Sequence, residues 1–177
     1  MESLHKIVVY QEGKENLIES ESQSIEITDD KFSIRFYNKK YAPERKEFYA
    51  AQIAALTDKQ AFEQIHIGQQ IEDISYFGGG TGMAAAKGGY ESLIINNEAH
   101  HYLFYENETS NRLKLIGQKN DNWRFEFVIN SFSINREKLP LQNEKIAELY
   151  LVILIDRNLN NMIEEGELTK LTLELPN

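Results

Sequence analysis

The feature that most constrains the fold is a strand–loop–strand pattern near the end of the chain. The run Leu149–Ile155 (LYLVILI) is continuously apolar and rich in β-branched residues, which is typical of a buried β-strand. Further on, Leu171, Leu173 and Leu175 alternate with polar residues, which indicates a second strand. The segment between them begins with the twelve residues DRNLNNMIEEGE, Asp156–Glu167. The pattern therefore predicts that this polar loop joins two strands.

The loop carries oxygen-bearing side chains at the positions that bind Ca²⁺ in a twelve-residue EF-hand loop. Positions 1, 3, 5, 9 and 12 are, in order, Asp156, Asn158, Asn160, Glu164 and Glu167. The backbone carbonyl of Met162 would be the ligand at position 7, and Glu167 would bind through both carboxylate oxygens. The spacing thus predicts a Ca²⁺ site formed by Asp156, Asn158, Asn160, Met162, Glu164 and Glu167.

The sixth loop position, which is usually Gly, is Asn161 here. Asparagine is one of the few other residues that tolerate the left-handed backbone region, so the departure weakens the pattern without breaking it. Because strands flank the loop, the segment resembles the D-x-N-x-N…G-E calcium loops of secreted bacterial β-sandwich domains. The resemblance covers the loop and its flanking strands. The alternative is an acidic, Asn-rich turn that binds no metal.

The charge of the chain bears on its partners and its compartment. The formal net charge is −9, which argues against nucleic acids and anionic membranes as partners and permits a basic protein. Amides at two loop positions favour modest Ca²⁺ affinity, and a weak site fills only outside the cytosol. We therefore expect a periplasmic, cell-surface or secreted protein, although the chain start lacks the features of a signal peptide. No apolar run is long enough to span a membrane.

The strand signals in the rest of the chain predict a mainly β protein: an antiparallel β-sandwich-like single domain, residues 1–177, with one short helix. The predicted strand segments are His5–Tyr10, a hairpin of alternating apolar residues on both sides of Asp29–Asp30, Leu93–Ile95 paired with Tyr102–Tyr105, Leu113–Ile116, and Trp123–Ile129. The polar segment Gln11–Ser24 is predicted to be a surface loop. Pro140 is placed in a loop before the last two strands.

One stretch remains open between helix and strand, and one is predicted to be helical. The alanines of Phe48–Leu56 favour a helix, whereas its aromatic start permits a strand. Thr57 is a good N-cap residue, and Asp58 would then lie in the first turn of a helix that ends near Ile65.

Other motifs give weaker indications of chemistry. The stretch Gly78–Gly89 (GGGTGMAAAKGG) contains a formal match to the dinucleotide fingerprint, but Gly88-Gly89 would end the required helix too early. His100 and His101 are adjacent, so in a strand they would point to opposite faces and could not easily share one metal ion. The chain has no cysteine, and no catalytic group of residues is apparent.

These observations favour a non-enzymatic binding or interaction protein whose C-terminal hairpin is held by Ca²⁺, with a protein as its partner. A first alternative is a small acidic inhibitor or immunity-type protein that binds a basic effector. A second is an enzyme whose site lies at Gly78–Gly89.

Overall fold

The computed structural model describes residues 6–39, 51–77, 92–96, 103 and 113–176. These residues form twelve β-strands, one short α-helix and one 3₁₀ turn. The strands are β1 (Val8–Gln11), β2 (Lys14–Leu17), β3 (Ser22–Glu26), β4 (Phe32–Lys39), β5 (Ala51–Leu56), β6 (Ser92–Ile94), β7 (Lys114–Lys119), β8 (Asn122–Ile129), β9 (Ser131–Ile134), β10 (Glu137–Leu139), β11 (Glu148–Ile155) and β12 (Leu168–Glu174). Helix α1 spans Lys59–Glu63 and the 3₁₀ turn spans Ile71–Asp73. The mainly β class with a short helix is confirmed.

The strands form three sheets, and the two larger ones pack as a sandwich. The first sheet has the order β2-β1-β4-β8-β7, the second β3-β12-β11-β5 and the third β10-β9-β6. Pairing is antiparallel except between β3 and β12 and between β6 and β9. Ile34 and Phe127 of the first sheet and Ile153 and Leu171 of the second are fully buried in one shared core. Burial of these facing apolar surfaces is the main stabilising contribution.

The second sheet is covered on both faces, which explains the unbroken apolar run in β11. Alternate residues of β11, such as Ile153, enter the shared core of the sandwich. The intervening Val152 and Leu154 enter a second cluster, which contains Phe62 of α1 and Ile163 of the loop after β11. A strand that is buried on both faces needs apolar residues at every position. Within the described ranges, no helix combines the length and apolarity needed to cross a bilayer.

The segment Gln11–Ser24 was predicted to be a surface loop, and this is wrong in part. It contains β2, which pairs with β1 through a tight turn at Glu12 and Gly13, both with positive φ angles of 52° and 78°. All four residues of β2 are exposed, and it is an edge strand of the first sheet. Such a strand buries no apolar face, so its sequence shows no apolar alternation.

The hairpin predicted across Asp29–Asp30 is also wrong, although both of its strands exist. Strand β3 belongs to the second sheet and pairs with β12, whereas β4 belongs to the first sheet and pairs with β1 and β8. The buried Gln11 holds the crossing between the sheets. Its Nε2 donates to Asp30 O at 2.8 Å, and its Oε1 accepts from Thr28 N at 3.0 Å.

The described part of the ambiguous segment Phe48–Leu56, which begins at Ala51, is a strand. Residues Ala51–Leu56 form β5, buried at every position and paired with β11. The helix that follows is shorter than predicted and begins one residue later. Asp58, rather than Thr57, is the N-cap, and its carboxylate accepts hydrogen bonds from the N–H groups of Gln60 and Ala61.

The described residues of the predicted hairpin between Leu93–Ile95 and Tyr102–Tyr105 do not pair with each other. Strand β6 pairs in parallel with β9. Leu103 alone is described in the second half of the predicted pair, and its N–H donates to Ala51 O in β5. The stretch Gly78–Gly89 and both histidines, His100 and His101, lie outside the described residues.

Candidate metal centre

The loop Asp156–Glu167 connects β11 and β12, as the sequence predicts. The two strands pair antiparallel, and the pair nearest to the loop is Leu154 opposite Leu168. The N–H of Ile155 then donates to the carbonyl oxygen of Glu167 at 2.9 Å, which closes the base of the loop. The two ends of the loop, Asp156 and Glu167, therefore lie next to each other.

Asp156 is buried at the start of the loop, with 9% of its surface exposed. Its Oδ2 accepts a hydrogen bond from Asn161 N at 2.9 Å, and its Oδ1 accepts one from Asn160 N at 3.3 Å. The chain can turn back in this way because Leu159 and Asn161 adopt left-handed φ angles of 57° and 62°. The backbone thus holds both carboxylate oxygens of Asp156 inside the turn.

Glu167 is the matching group at the end of the loop, with 6% of its surface exposed. Its Oε2 accepts from Arg157 N at 2.7 Å, and its Oε1 accepts from Glu164 N at 2.9 Å. An ionised carboxylate has about four acceptor positions, so both Glu167 and Asp156 retain capacity for a cation.

Both buried carboxyl groups are electrostatically unfavourable in their charged forms. Burial raises the pKa of Asp156, and the nearby carboxylate of Glu164 adds to this effect, while the N–H groups of Asn161 and Asn160 oppose it. Burial likewise raises the pKa of Glu167, against the hydrogen bonds from the backbone of Arg157 and Glu164. A divalent cation between the carboxylates would offset this cost, because it favours their charged forms.

The other three predicted side-chain ligands are exposed and bond to each other. Nδ2 of Asn158 donates to Oε2 of Glu164 at 2.9 Å, and Nδ2 of Asn160 donates to the other oxygen of Glu164. The N–H of Met162 donates to Asn160 Oδ1 at 3.0 Å. In the described part of the chain, no group of three or more His, Asp or Glu side chains stands ready to hold a metal ion. To join Asp156 and Glu167 around an ion, these exposed side chains would have to rotate.

A segment after α1 braces the loop from outside, and no residue pattern in the chain indicated this contact. Ile163 N donates to Gln69 O at 2.9 Å, and Gly68 N donates to Ile163 O at 2.8 Å. Ile71 N donates to Asn161 O at 2.9 Å. The side chain of Ile163 is 1% exposed and packs in the second apolar cluster. These contacts fix the middle of the loop against the body of the protein.

Arg157 links the loop to the first sheet. It occupies loop position 2, which supplies no ligand in the Ca²⁺ spacing, so the sequence did not indicate this role. Its Nη1 donates to the carbonyl oxygen of Tyr37 in β4 at 3.0 Å. Nε and Nη2 are buried without a hydrogen-bond partner among the described residues. Burial lowers the pKa of Arg157 to about 10, so the guanidinium stays charged at neutral pH.

Comparison with known proteins adds no relative to this picture. No protein-family model, curated protein or solved structure matches the chain significantly. The loop and its surroundings therefore carry the inference about function.

Proposed function

We propose that this chain is a non-enzymatic binding protein in which Ca²⁺ fastens the β11–β12 loop. The observation that carries the proposal is the pair Asp156 and Glu167, the first and last positions of the ligand spacing. Both are buried, and both carboxylates are oriented by backbone N–H groups of the same loop. The hydrogen bonds that orient the two carboxylates come from backbone N–H groups, and the buried guanidinium of Arg157 acts electrostatically on Glu167. A metal ion would supply the remaining counter-charge that two buried carboxylates need.

The remaining predicted ligands would complete an oxygen set of the kind that Ca²⁺ binds. Asn158, Asn160 and Glu164 are exposed, so their side chains can turn toward the ion without disturbing the core. The carbonyl oxygen of Met162 would contribute the seventh loop position. With three carboxylates and two amides, the site would have modest affinity, which fits a protein of the periplasm, cell surface or extracellular space.

In this proposal the ion stabilises a binding scaffold and takes no part in a reaction. It would join β11, a strand of the second sheet with seven of its eight residues buried, to the segment of Gly68 and Ile71 through the loop. The partner would be a protein, and the net charge of −9 favours a basic one.

Thermal unfolding in EDTA, in millimolar Ca²⁺ and in millimolar Mg²⁺ tests the proposal. At a Ca²⁺ concentration of about 100 times the dissociation constant, the fold should gain about 2.7 kcal/mol, which raises Tm by roughly 5–10 °C. Asp156→Ala should lose this gain. Equal melting temperatures of the wild type in EDTA and in Ca²⁺ would reduce the loop to an acidic turn and overturn the proposal.

A further inference from the structure

A cleft beside the loop Asp156–Glu167, called the ion loop below, combines an apolar floor with an acidic rim. It has a volume of about 340 Å³ and lies between the start of β1, the end of β2 and the start of β12. Its buried floor consists of Ile7, Ile18 and Leu168, which are 2%, 3% and 4% exposed. A hydrogen bond of 2.9 Å from Ile18 N to Ile7 O holds two of these residues together. The cleft therefore has an apolar floor that backbone hydrogen bonding holds in place.

An exposed isoleucine stands at the edge of this floor. Ile67 lines the same cleft, and 39% of its surface is exposed. It directly precedes Gly68, whose N–H donates to Ile163 O and so fixes this segment against the ion loop. Single exposed apolar residues are common on protein surfaces, but this one extends an apolar floor at a fixed position. The volume suits one or two apolar side chains of a partner rather than a large cofactor.

The rim of the cleft is acidic. Among the described residues, three acids and one cation line it, Glu19, Glu21, Glu165 and Lys6, and their formal charges sum to −2. Lys170 of β12 is a further cation, and Glu21 acts on it electrostatically. Its Nζ already donates to Ile65 O at 3.0 Å. The surface therefore favours a cationic occupant.

The cleft shares a wall with the proposed ion site. Glu165 and Gly166 line the cleft and are the tenth and eleventh residues of the loop Asp156–Glu167. Leu168, in the floor, immediately follows the predicted ligand Glu167. Ordering of the loop by an ion would thus also order one wall of the cleft.

We propose that this cleft binds a basic peptide segment of a protein partner. An apolar side chain of that segment would pack on Ile7, Ile18 and Leu168 beside Ile67. Flanking Lys or Arg side chains would pair with Glu19, Glu21 and Glu165. The inference rests on the proposed binding function and names the surface and the partner chemistry for it. Because Glu165 belongs to the ion loop, Ca²⁺ strengthens peptide binding by fixing that wall.

Fluorescence anisotropy with labelled peptides tests the proposal on the full chain. The probe is Lys-Arg-Leu-Ile-Lys-Arg, with Lys-Arg-Ser-Ser-Lys-Arg and Glu-Glu-Leu-Ile-Glu-Glu as controls. We expect the probe to bind, and each control peptide to bind at least about tenfold more weakly. Removal of Ca²⁺ with EDTA should weaken probe binding by about threefold to tenfold.

Two variants of the protein locate the binding. The triple variant Glu19→Gln, Glu21→Gln, Glu165→Gln should weaken probe binding by about tenfold and flatten its dependence on salt. Ile67→Ser should weaken it by about fivefold. A matched triple variant at exposed acids outside the cleft, Asp29→Asn, Asp121→Asn and Glu144→Gln, should change it by less than about twofold.

The outcomes separate this inference from the proposed function. No probe binding up to about 1 mM, or equal loss in both triple variants, overturns the cleft while a Ca²⁺-dependent rise in Tm still supports the ion site. Specific probe binding without any effect of Ca²⁺ on Tm supports the cleft and overturns the ion site. Self-association that Ile67→Ser abolishes, without probe binding, assigns the cleft to a second copy of the chain and overturns the proposal.

Discussion

The N–H of Arg157 donates a 2.7 Å hydrogen bond to Oε2 of Glu167, which joins the second and twelfth positions of the loop between β11 and β12. The side chain of the same arginine reaches the backbone of Tyr37 in the other sheet of the sandwich. The carboxylate that would complete an ion site is thus held by a residue that also connects the two layers. Changes at this end of the loop should affect both ion binding and stability.

The first prediction concerns the two acidic residues near the end of the loop. Glu167→Gln should abolish the Ca²⁺-dependent rise in Tm, because the amide cannot bind the ion through two charged oxygens. Glu165→Gln, two residues away, should retain it, since Glu165 is exposed and is not among the predicted ligands. Differential scanning calorimetry in EDTA and in Ca²⁺ measures both. Equal retention of the rise in the two variants would contradict the assignment of Glu167.

The second prediction concerns backbone strain at Leu159. Its φ angle of 57° is rare for a bulky residue, and its side chain is 47% exposed, so little burial compensates for the strain. Leu159→Asn should therefore raise the free energy of unfolding by about 0.5–1 kcal/mol. Urea denaturation in EDTA measures this change. Ile116→Asn is the control, because Ile116 is 39% exposed and lies in β7. A gain of equal size there would mean that strain is not the cause.

The third prediction concerns the brace at Ile163. Ile163→Ala should lower the free energy of unfolding by about 2–5 kcal/mol, because it opens a cavity in the second apolar cluster. It should also weaken Ca²⁺ binding by about tenfold, since the loop loses the contact that preorganises it. Isothermal titration calorimetry of the folded protein measures the affinity. Ile34→Ala, in the shared core, should cost similar stability and leave Ca²⁺ affinity unchanged.

The fourth prediction concerns alkaline pH and Tyr150. A hydrogen bond to Glu148, together with burial, raises the pKa of Tyr150 to about 12 from 10.0. The native state therefore keeps its proton where the unfolded chain loses it. The stability that this contributes is complete below pH 10 and is lost as the pH rises to about 12.

Denaturation curves of wild type and Tyr150→Phe between these pH values measure the contribution. The wild type should lose more stability than the variant across this interval, because only the wild type carries the Tyr150 hydroxyl. Parallel loss in the two proteins would show that Tyr150 has an ordinary pKa. Glu148→Gln should behave between them, because it replaces the charged hydrogen-bond acceptor with a neutral amide and retains the burial.

The strand–loop–strand pattern was predictable because its signals are local. The run Leu149–Ile155 is apolar at every position, and the structure buries it on both faces. The alternation of Leu171 and Leu173 likewise matches one buried face of β12. These patterns identify strands, but they do not specify the neighbour of each strand. For this reason the turn at Asp29–Asp30 was recognised while the crossing between two sheets was not.

The candidate site was predictable only in part, for a similar reason. The oxygen-bearing residues from Asp156 to Glu167 follow a fixed spacing that can be recognised in the sequence. The brace formed by Gly68 and Ile71 acts through backbone N–H groups, which every non-proline residue carries. Arg157 likewise acts through a long-range contact with Tyr37. Contacts of these kinds have no residue-type signature and emerge only from the folded chain.

The parallel pairing of β3 with β12 has a consequence for the order of folding. Strand β12 lies between β11 and β3, so Ile25 meets Leu173 although most of the chain separates them. A pairing of such high contact order carries a large loop-closure entropy and forms slowly. The hairpin of β11 and β12 is local and should form first. We therefore expect the addition of β3 to be the late step, and until then one edge of β12 is exposed to pairing with other chains.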